Sequence, residues 1–437
     1  MSSKLSPRKL SLHRPSITFT NVPEIDTQIL LHLPDDSLES ACTINKYAAS
    51  LCDDNFWHQR FIQTFGVTLG KYKQPEKSYK DIYKEFVKLS LDRQLIRAAE
   101  KGYLSLVKEV LDRDADIHAP QGGDYALQRA AYNGHLEVVK LLLDRGANIH
   151  ASDDEILGIS SAEGHIEVVK ELLYRGADIH IDDEQPLRFA AANGHLEIVK
   201  LLLDRGANIN IESYQESPLS LAAGNGFLEV VKLLLDRGAN IHADDDYSLQ
   251  IASSRGHLEI VKLLLDRGAD IHAPQGDNSA IVLAANNGHL EVVKLLFDRG
   301  SNIHARDDIV IQAAAANGKL EVVKFLIDHG ADIHAPQGNE GSLRHAARHG
   351  HLEVVKLLLD HGVDIAVLEQ KIPLVHKKIL IKLNKIIEEY KTKKKSPTIY
   401  PIARSTEIDM PSMAELREII RPPGGGLTVQ LNYQVKG

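Results

Sequence analysis

Histidine, aspartate and cysteine are the side chains of this chain that could do chemistry, and their spacing argues for another role. The 437 residues include 21 histidines. Seven close an Ile-His pair (His118, His150, His180, His242, His272, His304, His334), and six follow a glycine (His135, His165, His195, His257, His289, His351). A metal site needs ligands that converge on one point. Histidines locked to a sequence period are strung along a stack instead, so we read them as turn residues and expect no metal site. Acidic clusters recur in the same phase: SDDE at 152–155, DDE at 182–184, DDD at 244–246 and RDD at 306–308. Two readings stay open for them: caps for the following helix, or an acidic stripe that binds basic partner segments. Cys42 and Cys52 are too few for a disulfide framework in a chain this long, and a reducing compartment is the simplest reading. No Ser-His-Asp order, zinc spacing or phosphate loop stands out, and no lysine follows the glycines of PPGGG at 422–426. No catalytic residue and no cofactor is expected.

The elements that carry these residues repeat. A glycine falls at 102, 134, 164, 194, 226, 256, 288, 318 and 350, in steps of 32 or 30. From Gly134 onward a second glycine follows twelve residues later, as at Gly146, Gly176 and Gly206. A fixed period of this size predicts a stacked array rather than one globular core. In LEVVKLLLDRG the apolar residues Leu136, Val138, Val139, Leu141, Leu142 and Leu143 crowd most of a helix surface, so that helix needs neighbours on more than one side. Gly146 supplies a left-handed cap. A shorter helix precedes it at 125–133, where Ala130 and Ala131 allow close approach, and Gly134 ends it. The steps of 32 carry Gly-Pro inserts (APQGGD at 119–124, APQGDN at 273–278, APQGNE at 335–340) or the variant IESYQES at 211–217. Pro-Gln-Gly suits a tight turn, and a hairpin finger is plausible there. The steps of 30 are the acidic ones.

This unit resembles the ankyrin repeat over about residues 91–366, in nine copies. The second helix, the two glycines and the Ala-Asp-Ile-His ending carry the resemblance. Of the family's Thr-Pro-Leu-His opening, the leucine persists at Leu127, Leu157, Leu187, Leu219, Leu249 and Leu343, with Ser217-Pro218-Leu219-Ser220 as the best remnant. The implied fold is all-α, an α-solenoid of helix-turn-helix units. By the same resemblance Asn210 is a candidate hydroxylation acceptor. Specificity should lie where repeats differ, so the expected target-binding residues are Tyr125, Gln128, Arg129, Tyr132, Arg188, Phe189, Tyr214, Tyr247, Arg344 and His345; aromatics and arginines are the usual hot-spot types.

Residues 21–66 are similar to an F-box. Val22-Pro23-Glu24-Ile25, the helix through Leu30 to Leu33, Leu38 after an acidic turn, and Phe56-Trp57 to Phe61 carry that resemblance. It implies a small three-helix unit that binds the Skp adaptor of a cullin ubiquitin ligase through Val22, Pro23, Ile25, Leu30, Leu33, Leu38 and Trp57. The bland reading is a helical unit that caps the first repeat. Residues 77–90 form an amphipathic linker helix with Tyr79, Ile82, Tyr83, Phe86 and Val87 in one stripe. F-box and ankyrin units together resemble families of giant DNA viruses of amoebae, which implies a viral origin and a host target.

Residues 1–20 read as a disordered tail or a transit peptide; with no apolar stretch they are not a secretory signal. Residues 367–391 read as a degenerate tenth unit that caps the array, with apolar residues at 375, 379, 383, 386 and 390. Residues 392–437 read as a largely disordered tail. Lys391–Lys395 is a nuclear signal or a solvated linker, so the expected location is the cytoplasm, with the nucleus as the alternative. Residues 1–90 carry 12 basic and 10 acidic groups and residues 366–437 carry 13 and 7, so the net charge of −9 places −17 on residues 91–365. So acidic a solenoid is poorly suited to a phosphate backbone, and no run of about 18 apolar residues predicts a membrane span. The expected function is a substrate-recognition subunit of a cullin-type ubiquitin ligase. The alternative is an ankyrin scaffold or decoy that sequesters a host protein. In neither is the chain an enzyme.

Overall fold

The computed structural model describes residues 23–44, 46–69, 76–120, 122–151, 155–211, 216–273, 280–335, 341–369 and 377–395. The described residues are helical, without a strand. Val22, Tyr214, residues 372–374 and most of the Pro-Gln-Gly inserts lie outside them.

Four short helices come first, one more than the three expected: α1 (Pro23–Leu31), α2 (Asp35–Ile44), α3 (Lys46–Leu51) and α4 (Asp54–Phe65). The linker helix α5 (Tyr79–Phe86) follows. Nine helix pairs come next, an inner and an outer helix in each repeat. They are α6 (Leu91–Glu100) with α7 (Leu104–Asp112), α8 (Tyr125–Tyr132) with α9 (Leu136–Asp144), and α10 (Glu155–Ala162) with α11 (Ile166–Tyr174). Then come α12 (Ile181–Ala192) with α13 (Leu196–Asp204), α14 (Pro218–Asn225) with α15 (Leu228–Asp236), and α16 (Tyr247–Arg255) with α17 (Leu258–Asp266). The last three are α18 (Ala280–Asn287) with α19 (Leu290–Asp298), α20 (Ala305–Ala316) with α21 (Leu320–Asp328), and α22 (Gly341–His349) with α23 (Leu352–Asp360). A one-turn α24 (Ala366–Glu369) and α25 (Lys377–Lys395) close the described chain. The chain divides into two compact units, residues 1–379 and 380–437. Lys391–Lys395 continues α25 as helix.

The core follows from the repeated string. Each full outer helix buries one stripe, such as Val138, Val139 and Leu142, and the alanine pairs of the inner helices, such as Ala130-Ala131 and Ala190-Ala191, are fully buried. Three of these alanine positions hold serine: Ser160 Oγ donates to the Ile156 carbonyl at 2.8 Å, whereas Ser161 and Ser253 are buried with no hydrogen-bond partner for Oγ among the described residues.

The turn between paired helices is set by its glycine. Gly134 has φ 73°, a region that costs a side-chain-bearing residue steric strain. An added Cβ there would also lie 2.5 Å from the His165 ring of the next repeat. That ring donates from Nε2 to the Tyr132 carbonyl at 2.8 Å. The same bond recurs from His135, His195, His257, His289 and His351 to the carbonyls of Glu100, Ala162, Gly224, Ser254 and Ala316, at 2.8–3.0 Å. The post-glycine histidines are thus turn residues that staple each repeat to the one before. Phe227, Lys319 and Ile379 fill the place of the ring over Gly194, Gly288 and Gly350. Ile379 so lies over the last of these glycines, Gly350.

Three of the acidic connectors depart from the capping reading; in the fourth, residues 152–154 lie outside the described residues. Asp182-Asp183-Glu184 and Asp244-Asp245-Asp246 run through three left-handed residues each, and Asp307-Asp308 through two. Asp124 and Asp246 sit at helix starts yet make no side-chain cap bond. With the backbone turned left-handed, the last carboxylate points back to the Ile-His histidine. His118 bonds Asp124 at 2.8 Å, His180 bonds Glu184 at 2.6 Å, His242 bonds Asp246 at 3.2 Å and His304 bonds Asp308 at 2.9 Å. Those four acids are buried. Asp246 and Asp308 also accept the backbone N–H of Asp270 and Asp332 at the start of the next connector, at 2.9 and 2.8 Å. The hydrogen bond from Glu184 holds His180 above the ordinary imidazole value. Asp182, Asp183, Asp245 and Asp307 remain exposed.

At the outer-helix ends an Asp–Arg ladder joins neighbours: Asp112–Arg145 at 2.9 Å, Asp144–Arg175 at 2.7 Å, Asp204–Arg237 at 2.8 Å, and Asp236–Arg267 and Asp266–Arg299 at 2.9 Å. The two cysteines, expected as separate thiols, are joined as Cys42–Cys52 with Cα atoms 6.0 Å apart. The turn from α2 into α3 brings them together.

Two stability outcomes follow. Gly256→Ala is expected to cost more than Gly268→Ala: both have positive φ, but only Gly256 faces a ring, with His289 at 2.4 Å from the added Cβ. Backbone strain alone costs roughly 1–2 kcal/mol, and overpacking adds roughly 1–3 kcal/mol, as urea denaturation would measure. Ser161→Ala and Ser253→Ala are each expected to stabilise by about 1 kcal/mol, because each removes a buried hydroxyl without a partner; an unchanged melting temperature would refute this.

Candidate functional site

The N-terminal unit is built around one guanidinium. Arg60 on α4 donates to the Leu33 carbonyl at 3.0 Å, to the Leu31 carbonyl, and to Asp35 Oδ1 at 2.9 Å. Its Nε donates to Tyr83 Oη at 3.1 Å, and Tyr83 in turn donates to Asp35 at 2.7 Å. This fork satisfies orphan carbonyls at the end of α1 and ties it to α2 and α5. Burial works against the Arg60 charge, but Asp35 and Tyr83 hold its pKa above the ordinary value. A buried acid, Asp26, accepts from Tyr47 Oη at 3.0 Å.

Of the expected adaptor-binding residues, Pro23 and Ile25 are exposed on α1, Ile25 at 51%. Leu33 is half-buried, and Val22 lies outside the described residues. Leu30, Leu38 and Trp57 are 0%, 1% and 3% exposed, inside the unit's own core. They position the helices rather than offering a free surface. Apolar residues of a short motif do not announce which of them face inward. Between α2 and α5 lies a pocket of about 160 Å³ lined by Asp36, Leu38, Trp57, Tyr83, Val87 and Lys88. Lys84–Glu39, at 2.5 Å, lies beside it. The Trp57 indole N–H has no partner among the described residues.

Rings continue from this unit into the array. Trp57 lies 5.5 Å from Tyr83, Tyr83 lies 6.0 Å from Phe65, Phe65 lies 6.5 Å from Phe86, and Phe86 lies 6.0 Å from Tyr103 of repeat one. Glu85 adds a polar tie, bonded to Lys77 at 2.7 Å and to Arg97 of α6. Tyr103 is fully buried, and burial pushes its phenol up to about 12.

On the repeats, the structure brings Tyr125, Gln128, Arg129 and Tyr132 together on one face of α8, at helical spacings of three, four and seven. Tyr125 and Tyr132 are 41% and 45% exposed, and Arg129 is exposed. Gln128 is held by the Gly123 carbonyl at 2.8 Å. Arg188 is committed elsewhere: it donates to the Asp182 carbonyl at 3.0 Å and pairs with Glu216. Phe189, Tyr247, Arg344 and His345 are half-buried, and burial lowers the His345 pKa. Tyr214 lies outside the described residues. One exposed side chain escaped the sequence reading. Tyr174, 82% exposed, ends α11 where the ladder elsewhere has aspartate. Its signal is the one loss of aspartate from that position of the LLLDRG string.

Asn210 is engaged structurally. Its Nδ2 donates to the Gly238 carbonyl at 3.1 Å and its Oδ1 accepts from Asn240 N–H at 2.8 Å, so it bridges repeats four and five. Among the described residues no three metal-type ligands gather at one point, and no helix is long and apolar enough to cross a membrane.

The tie at Glu85 predicts a pH dependence. Burial raises its pKa, but Lys77 and Arg97 pull harder and leave it below the ordinary 4.5. A lowered carboxyl pKa adds stability that is complete above the unfolded value and is lost as pH falls through the folded one. Glu85→Gln is therefore expected to destabilise by about 1.5–3 kcal/mol near neutral pH and to flatten the acid limb of a stability–pH profile below pH 4.5. An acid limb identical to wild type would contradict it.

No curated protein matches the chain. A crystal structure of the human ASB11 ankyrin repeat domain matches at 28% identity over 48% of this chain and 98% of its own, with a TM-score of 0.43. The family model for ankyrin repeats (3 copies) matches residues 95–183, 157–245, 243–307 and 281–368, more than half of the chain. The chain belongs to the ankyrin-repeat family.

Proposed function

We propose that the chain is a substrate-recognition subunit of a cullin-type ubiquitin ligase. In this reading the N-terminal unit binds a Skp-type adaptor and the ankyrin repeats hold the target protein. Ankyrin repeats imply protein–protein interaction; the ligase role is the finer step. The observation that carries it is the F-box-like unit itself: Leu30, Leu38 and Trp57 make its core, which leaves Pro23 and Ile25 exposed on α1. The chain would do no chemistry. It would raise the effective concentration of a target lysine near the ligase, and the ring and Glu85 ties to repeat one would limit the lost freedom. Tyr125, Arg129 and Tyr132 are the favoured target contacts, and exposed Asp182, Asp183, Asp245 and Asp307 suit a target with basic segments. The proposed location is the cytoplasm of a host cell, or the nucleus by way of Lys391–Lys395. A second reading, a scaffold or decoy without ubiquitination, is favoured by the same ring continuity, since the unit also covers the end of the array.

The test is a pulldown of a purified Skp-type adaptor. Wild type is expected to bind at least about ten-fold better than Pro23→Ala/Ile25→Asp, a loss typical of one or two hot-spot contacts. Both positions are exposed, so the variant should keep its circular dichroism spectrum. If wild type binds no better than the variant, the ligase reading fails and the scaffold reading stands.

A further inference from the structure

We propose that the array contains a hinge between repeats seven and eight. Two families of directional cross-links tie successive repeats: the histidine staple to a preceding carbonyl and the Asp–Arg ladder. Other boundaries that lose one keep the other. Repeats three and four lack the ladder pair, because Tyr174 replaces aspartate, but keep His195 on Ala162. Repeats four and five have Phe227 for the staple but keep Asp204–Arg237. Repeats eight and nine have His361 where the ladder has arginine, but keep His351 on Ala316.

At the seven–eight boundary both are missing among the described residues. Lys319 stands where the staple histidine belongs, and its alkyl chain covers Gly288. His329 stands where the ladder arginine belongs and turns Nδ1 back to the Phe325 carbonyl of its own helix at 2.7 Å. Asp298 of repeat seven is left without a ladder partner. Rings replace these links: Phe297 meets Phe325 at 5.7 Å, edge to face, and His329 at 4.9 Å. Such contacts hold surfaces together without fixing one register. One exposed bond, Asn317 to Asn286 at 2.6 Å, still crosses. Ser301, buried where repeats two to six and eight carry alanine, has no partner for Oγ among the described residues. Because each repeat touches only its neighbours, a boundary that lacks both recurring links is where such a stack bends and opens first. Repeats eight and nine then move as one block against repeats one to seven.

Hydrogen exchange of the full chain, read by mass spectrometry, tests this. Amides of α20 and α21 are expected to exchange about ten-fold faster than those of α16 and α17, the factor that one lost link of ordinary strength produces. Lys319→His/His329→Arg, which installs the residues used at intact boundaries, should bring the two regions level. His289→Lys/Arg299→His should create a second fast boundary between repeats six and seven. Fraying toward the end of the array would respond to neither swap. Equal exchange in wild type, or a ratio unchanged in both swapped proteins, would overturn the hinge.

Discussion

The stack depends on a missing Cβ. At each repeat turn a glycine in the left-handed region leaves room for a side chain of the next repeat, in most cases an imidazole that also clamps a carbonyl one repeat back. Helix termination and repeat spacing are therefore one constraint. The occupant varies more freely than the hole: phenylalanine, lysine and isoleucine each fill it once. Filling is sufficient to stack, and the polar clamp adds register.

Where the pattern is local and recurrent, the residues announce the structure. The glycine ladder places the paired helices and their junctions to within a few residues, because every copy repeats the same signal. What escapes a one-dimensional reading is reorientation. A carboxylate just before a helix looks like a cap. Asp246 instead folds onto His242 because three successive acidic residues turn left-handed, a backbone choice that Asp tolerates better than most. Counting Cys42 and Cys52 excluded a framework but said nothing of proximity across the α2–α3 turn. The apolar spacing in residues 22–61 points to helices yet could not separate exposed Ile25 from buried Trp57. Tyr174 was hidden in a string that otherwise looked purely structural.

The N-terminal unit is too small to be comfortable alone, and the structure shows what supports it. Arg60 gathers the ends of α1 and α2 against α5, and a chain of rings runs from Trp57 to Tyr103. The unit and repeat one share a core. A surface on α1 is thereby tied through α4 and α5 to repeat one.

The outer edge of the array spends its cations. Lysines pair with glutamates one turn back, as in Lys170–Glu167 and Lys232–Glu229, and arginines pair along the ladder. The surplus negative charge is left nearer the connectors, where Asp182, Asp183, Asp245 and Asp307 face solvent. The solenoid is thus electrically lopsided across its width. A diffusing cation-bearing chain meets a field that turns it toward the connector edge before contact, so encounter would be faster on that side and would slow as salt shortens the reach of the field.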